Sequence, residues 1–364
     1  MTIKDIIKEI ELTAPLKYQE SYDNSGLIIG HPETEINKIL ICFDVTMNVM
    51  NEAINKKADL IIAHHPLIFD SLKKINGTSN TEKLIVSAIQ NNIAIYAAHT
   101  NLDNVGTAIN ELFAQKIGLI NTQVLSPLKG SLRKLVTFCP ISHIENLRTA
   151  IFDAGAGHIG GYDCCSYNIK GQGSFRASNK ANPFVGKINQ LHFEEEIRFE
   201  TIYPIHLENI VINALLKNHP YEEVAYDIYP LENTYKLFGA GLIGELKKSI
   251  TVFDFLLKLK KTLKLKCIKH NSPENKTIKK IALCGGSGSF LIKHAITQKA
   301  DIFISAEFKH NHFVDYQNRI IIADIGHYES EHFSKDLIKS ILIKKFPNFA
   351  IEISETENNP VFYI

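Results

Sequence analysis

The sequence predicts an α/β protein whose core is interrupted by an inserted α+β module. In the first third of the chain, apolar segments typical of buried strands alternate with amphipathic segments typical of helices, which is the pattern of an α/β fold. The middle of the chain changes to the order strand, helix, strand, strand, helix, strand, the ferredoxin-like split motif. Alternation then resumes. We therefore expect a discontinuous α/β core of two lobes, residues 1–127 and 234–364, with a ferredoxin-like insert at residues 130–231.

The elements of the first lobe follow from their apolar patterns. After an opening amphipathic helix, strands such as LIIA and IAIYAA are apolar on both faces, as expected of a parallel sheet covered by helices. The expected strands are Ile39–Val45, Leu60–Ala63 and Ile93–Ala98, and the expected helices are Met47–Asn55, Thr81–Gln90 and Gly106–Ile117.

The insert and the second lobe are predicted in the same way. In the insert we expect the strands KLVTFCP, CCSYNIKG, EIRFETIYP and EVAYDIYPL and the helices HIENLRTAIFDAG and LENIVINALLKNHP. In the second lobe we expect helices between the strands Lys280–Cys284, Asp301–Ser305, Arg319–Asp324 and Phe349–Ile353.

Composition and charge indicate an ordinary soluble globular protein. Of the 364 residues, 45% are hydrophobic and 22% charged, and 40 basic residues balance 39 acidic ones. This balance argues against nucleic acid and against an anionic membrane as partners. The six cysteines form no C-x-x-C pair, so reduced thiols are expected. The N-terminus resembles an amphipathic helix rather than a signal peptide, and no run approaches the ~18 apolar residues of a membrane span, so we expect a cytoplasmic protein.

Three of the expected strands end in histidine or acidic side chains. The three endings are DLIIAHH (Asp59–His65), AAHTNLD (Ala97–Asp103) and DIGHYESE (Asp324–Glu331). Ligands of open α/β sheets bind beyond the carboxyl ends of the strands, so the three endings can meet in one crevice. Each has an ordinary alternative: a hydrogen-bonding histidine beside a structural one, a helix cap at Asp103, and a surface pair of His327 with Glu331. Together the three coincidences favour a metal site.

Five side chains are the candidate metal ligands: His64, His65, Asp103, His327 and Glu331. Pro66 restricts the residue before it and interrupts strand pairing, which should leave both adjacent imidazoles at the rim of the sheet. The i, i+4 spacing of His327 and Glu331 places both on one face of a helix that is expected to continue through Lys345.

The number of candidate ligands predicts two divalent ions rather than one. An open mononuclear catalytic zinc site has three protein ligands, and a carboxylate can bridge two ions that act on one substrate. Nitrogen and oxygen ligands without cysteine suit zinc, iron, manganese or nickel, and zinc is our first choice. We expect the imidazoles to be oriented by further polar groups, with Asp44, His99, Glu307, His312 and Asp324 as candidates.

A glycine-rich segment, GGSGS (Gly285–Ser289), follows one of the expected strands. It lacks the lysine of a P-loop and the spacing of a dinucleotide fingerprint. We interpret it as a tight strand-to-helix turn, with phosphate binding by its backbone amides as the alternative.

With these residues in view, the chain resembles the Nif-three-like dinuclear-metal family, catalogued under the name GTP cyclohydrolase 1 type 2. The resemblance rests on DNSGLIIG (Asp23–Gly30), FDVT (Phe43–Thr46), HHPLIF (His64–Phe69), AAHTNLD, GGSG (Gly285–Gly288), the Glu307–His312 stretch and GHYESE (Gly326–Glu331). It implies that the five candidates are ligands, with Glu331 bridging the two ions. It also implies that the insert, with GAGHIGGY, ANPFVG and HPYEEVAYDIYPL, is a PII/CutA-like domain, and that the protein assembles as a homohexamer.

The implied activity is hydrolysis of a purine nucleotide, with GTP ring opening by a metal-bound hydroxide. The candidate ligands by themselves indicate only metal-dependent hydrolysis. Cleavage of phosphoesters or nucleotide phosphates is the nearest alternative, because two metals also suit displacement at phosphorus. The alternative of another class is a non-catalytic role in metal handling or regulation, in which the insert senses a small ligand.

Overall fold

A computed structural model describes residues 1–272, 276–357 and 359–364. The described chain divides into two compact units. The first joins Met1–Pro127 to Lys236–Ile364, and we call it the metal unit because it contains the five candidate metal ligands of the sequence analysis; the insert is Leu128–Tyr235. Together they form a mixed α/β protein with three sheets.

The first segment of the metal unit alternates strands and helices. Side-chain caps from Thr2, Thr46 and Ser79 begin three of its helices, each accepting a hydrogen bond from a backbone N–H group that the helix leaves free. The strands are β1 (Gly26–Ile29), β2 (Lys38–Cys42), β3 (Leu60–Ala63), β4 (Ala94–Ala97) and β5 (Leu119–Leu128), and the helices are α1 (Ile3–Thr13), α2 (Met47–Lys56), α3 (Asn80–Gln90), α4 (Thr100–Asp103) and α5 (Ile109–Ile117).

The insert follows the order β-α-β-β-α-β. Its elements are β6 (Leu132–Pro140), α6 (Ile144–Asp153), β7 (Ser166–Arg176), β8 (Leu191–Pro204), α7 (Glu208–Asn218) and β9 (Tyr226–Leu231). The strands form one sheet in the order β7-β8-β6-β9, and the paired strands are antiparallel. Leu135 and Phe199 of the sheet pack with Leu147, Val211 and Leu215 of the two helices.

The last segment returns to the metal unit. It contains β10 (Tyr235–Thr251), α8 (Val252–Thr262), β11 (Lys269–His270), β12 (Thr277–Ser287), α9 (Ile292–Thr297), β13 (Ile302–Ala306), α10 (His310–Asp315), β14 (Ile321–Asp324), α11 (His327–Glu331), α12 (Ser334–Lys345) and β15 (Ala350–Ile353). Short 3₁₀ helices are found at Leu16–Tyr18, Ile205–Leu207 and Ser289–Leu291.

Two sheets make up the metal unit, and they do not divide along the chain. One has the order β1-β4-β3-β2-β15 and the other β11-β14-β13-β12-β10-β5. The last strand, β15, thus joins the first sheet and pairs with β2 in parallel, whereas β5 from the first segment joins the second sheet. The sequence pattern predicted that the three strand ends with candidate ligands meet at one crevice of a single sheet. In the structure they belong to two different sheets, since β3 and β4 are in the first and β14 is in the second.

Both sheets are buried by apolar side chains on their helices. In the first sheet Leu40 and Ile61 pack with Met50 of α2 and Leu84 of α3, and in the second, Phe303 and Ile322 pack with Ile292. Each fully buried side chain of this size contributes about 1.5–3 kcal/mol relative to exposure. The two cores fix the strand ends on which the candidate ligands lie.

Several elements differ from the sequence-based prediction. The strands β1, β5, β10 and β11 were not predicted, and β12 continues through the glycines to Ser287. The helix expected to run from His327 through Lys345 is two helices, α11 and α12, separated by a turn at residues 332–333. Among the described residues no helix is long and apolar enough to span a membrane, and all six cysteines are free.

Candidate metal centre

The ends of β3 and β4 place the first candidate ligands side by side. Ala63 lies opposite Ala97 in the parallel ladder of these strands. The backbone N–H groups of His64 and His65 then donate to the carbonyl oxygens of Cys42 and Phe43, at 3.2 and 3.1 Å. These two bonds hold both histidines against the end of β2 directly after β3, and Pro66 has no N–H with which to continue the pairing.

The remaining ligands belong to two short helices. Asp103 is the last residue of α4, whereas His327 and Glu331 are the first and last residues of α11. Gly326, just before α11, has φ +92, a conformation that favours glycine. A Cβ atom there would collide with the carboxylate of Glu329.

All five predicted ligands lie together. The Oε2 atom of Glu331 is 3.0 Å from Nε2 of His327, 3.6 Å from Nε2 of His64 and 3.7 Å from Nε2 of His65. The Nε2 atom of His64 is also 3.7 Å from Oδ1 of Asp103, and the Nε2 atoms of His65 and His327 are 3.3 Å apart. His64, His65 and Glu331 form a cluster that could hold a metal ion.

The three imidazoles are oriented by acceptors at their other ring nitrogen. Nδ1 lies 2.8 Å from the carbonyl oxygen of Ala98 in His64, 2.8 Å from Oδ1 of Asp44 in His65, and 3.1 Å from Oε1 of Glu307 in His327. A carbonyl or carboxylate oxygen can only accept, so each Nδ1 must carry the proton. In the neutral imidazole this leaves the Nε2 lone pair directed into the cluster, as in metal-binding histidines.

The atoms that face one another in the cluster fit a metal ion. Nε2 of His64, Oδ1 of Asp103 and Oε2 of Glu331 are buried polar atoms that have no hydrogen-bond partner within the described part of the chain, an arrangement that costs stability unless another group binds them. Two ligands of a tetrahedral zinc ion with Zn–N bonds of 2.0–2.1 Å lie about 3.3 Å apart. The observed separations of 3.0 to 3.7 Å are of this size.

Burial and mutual charge shift the pKa values of these groups in opposite directions. Burial lowers the pKa of His64 to about 4. Burial also acts to lower the pKa of His65, but the carboxylates of Asp44 and Glu331 outweigh it and raise the pKa to about 10. Burial and then the charge of Glu331 raise the pKa of Asp103, whereas attraction to the imidazoles of His327, His64 and His65 outweighs burial and lowers the pKa of Glu331. The positive charge of the protonated His65 imidazole thus compensates the negative charge of Glu331.

Phe43 packs among the histidines from the end of β2. Its ring is stacked on His64, with centroids 5.3 Å apart and an interplanar angle of 18°, and lies 4.4 Å from the ring of His65. It is 2% exposed. This packing restricts rotation of both imidazoles, which the FDVT motif of the sequence does not by itself indicate.

The glycine-rich segment supports Glu331. The backbone N–H of Gly286 donates to Oγ of Ser330, and the carbonyl oxygen of Gly286 accepts from Oγ of Ser305. A Cβ atom at Gly286 would collide with the carboxylate of Glu331. These glycines are therefore needed for the close approach of β12 to a candidate ligand.

The five residues predicted to orient the ligands fall into two groups. Asp44 and Glu307 contact ligand imidazoles directly, and the ring of His99 lies 5.5 and 5.2 Å from those of His64 and His65. His312 instead accepts from the backbone N–H of Lys309. Asp324 accepts from the N–H of Phe308 and pairs with Lys269. These last two support the surrounding loops.

Asp23 is a site residue that pattern reasoning missed. Its Oδ1 lies 2.7 Å from Nδ1 of His99, and its Oδ2 accepts from the backbone N–H of Thr100. Although burial raises the pKa of Asp23, the hydrogen bonds from His99, Thr100 and Ser25 lower it well below its usual value. The one available signal was the DNSGLIIG motif, which carried the family resemblance.

The loop that carries Glu307 is strained. Glu307 has φ +61, a region that residues other than Gly, Asn and Asp seldom adopt and that costs on the order of 1 kcal/mol. Its carboxylate meets Nδ1 of His327 in this conformation. The strained backbone thus coincides with the orientation of a candidate ligand.

A cavity of about 420 Å³ opens beside the cluster. His65, Asp103, His327 and Glu331 line it, together with His99. Three aromatic side chains also line it and are largely exposed: Tyr22, Phe69 and Phe290. A small molecule in this cavity would reach the cluster directly.

Fold and site together define an α/β protein with a histidine–carboxylate cluster between two sheets. The chain belongs to the Duf34/NIF3 (NGG1p interacting factor 3) family, whose model matches residues 1–360. It is 37% identical over 367 aligned residues to a Bacillus subtilis protein named GTP cyclohydrolase 1 type 2 homolog, covering 99% of this chain and 98% of the relative. A Halalkalibacterium halodurans protein of the same name is 36% identical, with the same coverage.

Solved structures show the same architecture. A Bacillus cereus protein related to NIF3 matches with a TM-score of 0.87 and 36% identity, covering 100% of this chain and 99% of that one. A Staphylococcus aureus protein matches with a TM-score of 0.78 and 26% identity, with the same coverage. The family resemblance expected from the sequence motifs is therefore confirmed, as is the mixed α/β class.

We expect Glu331→Gln to lower metal binding more than any neighbouring change, because it removes the charge that all three imidazoles share. Metal content after purification without chelators, measured by mass spectrometry, should fall to roughly half of wild type or less, and affinity by at least ~10-fold. Glu329→Gln, on the same helix, is the matched control and should keep full content. Full occupancy in Glu331→Gln, or equal loss in the control, would contradict this assignment.

Metal affinity should rise with pH. Because the pKa of His65 is about 10, its imidazole is protonated near neutral pH, and a metal ion must displace that proton. The apparent affinity for zinc should increase about tenfold per pH unit between pH 5.5 and 7.5 for each proton displaced, as measured with a competing chelator. Asp44→Asn removes a carboxylate that raises this pKa, so its slope should be shallower. A slope of zero in the wild type would refute proton displacement.

Proposed function

We propose that the protein is a metal-dependent hydrolase with a dinuclear centre. His64, Asp103 and Glu331 would hold one ion, and His65 and His327 would hold the other with Glu331 as the bridge. Zinc is our first choice, with manganese, iron or nickel as alternatives. The observation that carries the proposal is the set of three imidazoles whose Nε2 atoms face two carboxylates beside an open cavity.

When bound, two such ions would activate a water molecule and polarise the substrate. We propose that His99 transfers protons next to these ions. Nδ1 of His99 is bound by Asp23, so its Nε2 is free to accept or return a proton at the cavity wall. Asp23 would fix the tautomer and orientation of that imidazole.

We propose a purine nucleotide, GTP in the first instance, as the substrate. The aromatic side chains of Tyr22, Phe69 and Phe290 line the cavity and would stack on a planar base. The curated relatives bear the name GTP cyclohydrolase 1 type 2 homolog. Ring opening of the base by hydrolysis is the reaction that this name suggests.

Cleavage of a phosphoester is the second candidate. Among the described residues that line the cavity there is no lysine or arginine. The metal ions would therefore be the positive charges that bind a phosphate group. Two metal ions bound in this way promote displacement at phosphorus. A purely metal-handling or regulatory role is the remaining alternative.

We propose further that the insert is a ferredoxin-like, PII/CutA-like domain. Its element order and the antiparallel sheet order β7-β8-β6-β9 support this. In the regulatory alternative, this domain would bind the small ligand that is sensed.

The activity is tested by incubating metal-loaded protein with GTP and with a panel of phosphoesters. Formate and a ring-opened product support the cyclohydrolase reaction, whereas phosphate release supports the second candidate. His65→Ala should lower either activity by at least ~10-fold, because it removes both a proposed metal ligand and the partner of Asp44. His312→Ala is the matched control, since His312 contacts Lys309 rather than the cluster. If wild type and His65→Ala are equally inert on every compound, the hydrolase proposal fails.

We also propose a homohexamer, on the family resemblance that the sequence motifs carry. Six chains of 41.0 kDa give about 246 kDa. Light scattering at micromolar concentration should return this mass. A stable monomer would refute the assembly without affecting the metal proposal, because all five candidate ligands come from one chain.

A further inference from the structure

The insert contains a cavity of its own. Its volume is about 580 Å³, which is within the range of small-molecule sites. Much of the wall is aromatic. The rings of Phe175 and Phe184 both contact that of Tyr221, with centroids 6.1 and 6.3 Å from it, and Phe138 also lines the cavity.

A buried carboxylate lines this cavity. Glu196 is 8% exposed, and its Oε1 accepts a hydrogen bond of 2.8 Å from the hydroxyl of Tyr221. Its Oε2 lies against Gly173, where a Cβ atom would collide with it. The insert is described throughout, and none of its ion pairs includes Glu196. A buried carboxylate without a cation is costly, so a cation at this position would be stabilised.

Most of the charged side chains that line the cavity are negative. Three carboxylates, those of Glu196, Glu222 and Glu223, line it against the one guanidinium of Arg198. Arg198 is already matched, because its Nε donates to Oε1 of Glu200. The guanidinium also lies over Phe138, 5.8 Å from the ring centroid. The aromatic wall therefore already accommodates one cation in cation–π geometry.

We propose that this cavity binds a small organic cation, namely an amine, amidine or guanidine on an aromatic or apolar body. The cationic group would donate to Glu196 in a charge-assisted hydrogen bond. The body would pack against Phe175, Phe184 and Tyr221. No step of the proposed hydrolysis requires this site, so it adds a binding function to the insert.

The test compares benzamidine with benzamide, a neutral molecule of nearly the same shape, by calorimetry on the full chain. Benzamidine should bind at least ~10-fold more tightly, as expected for one hydrogen bond between charged groups. Glu196→Gln should reduce benzamidine affinity at least ~10-fold and leave benzamide unchanged. Glu195→Gln is the matched control: it removes the same charge from the adjacent, exposed position on β8, outside the cavity lining.

A second variant keeps the test valid if Glu196→Gln does not fold. Gly173→Ala should displace the carboxylate of Glu196 and cause the same selective loss, with folding checked by circular dichroism. Equal affinity for the two probes, no benzamidine binding at 10 mM, or an equal loss in Glu195→Gln would each overturn the proposal. Loss of self-association by Glu196→Gln in sedimentation would also overturn it. The natural occupant of the cavity would then be a basic side chain of another copy and not a small molecule.

Discussion

The metal unit depends on one constraint, the fixing of three imidazoles through Nδ1. The acceptors differ in kind. Fully buried His64 is bound by the neutral carbonyl of Ala98, whereas the more exposed His65 and His327 are bound by carboxylates. A carboxylate beside His64 would add another charge to an interior that already contains Glu331, and burying charge is expensive. The neutral acceptor fixes the same tautomer without that cost.

This geometry requires the two sheets of the metal unit to keep a fixed position relative to each other, and Asn110 forms hydrogen bonds that link them. Its Nδ2 donates to the carbonyl oxygen of Asp103 beside the first sheet, and its Oδ1 accepts from the N–H of Gly285 in the second. Asn110 is 2% exposed, so both bonds form in a medium where an unmade hydrogen bond costs about 1–3 kcal/mol. The glycines of β12 then allow Glu331 to approach closely. The site is therefore a product of the interface between the sheets as well as of its five ligands.

The sequence predicted the parts of this site that depend on local pattern. Strand β3 was predicted with its observed ends, since LIIA is apolar throughout and is followed by two histidines and a proline. Strands β5 and β10 were missed because β5 mixes polar with apolar residues and β10 contains glycines and lysines, which weaken any periodic signal. The division into two sheets could not be predicted, since pairing of β15 with β2 joins residues about 300 positions apart. The contact between Asp23 and His99 was missed for the same reason.

The two halves of the cluster differ in their access to solvent, and this difference bears on their roles. His64 is fully buried and does not line the cavity, whereas His65 and His327 both line it, with side chains 24% and 32% exposed. An ion held by His65 and His327 would therefore meet a substrate, whereas the imidazole of His64 is closed to the cavity. Phe43 stacks on His64, whereas Asp103 and Glu331 border the cavity, so packing holds the buried imidazole while the carboxylates remain within reach of a small molecule. In the dinuclear arrangement proposed above, the carboxylate of Glu331 would thus connect one buried imidazole fixed by packing with two imidazoles that are open to a substrate.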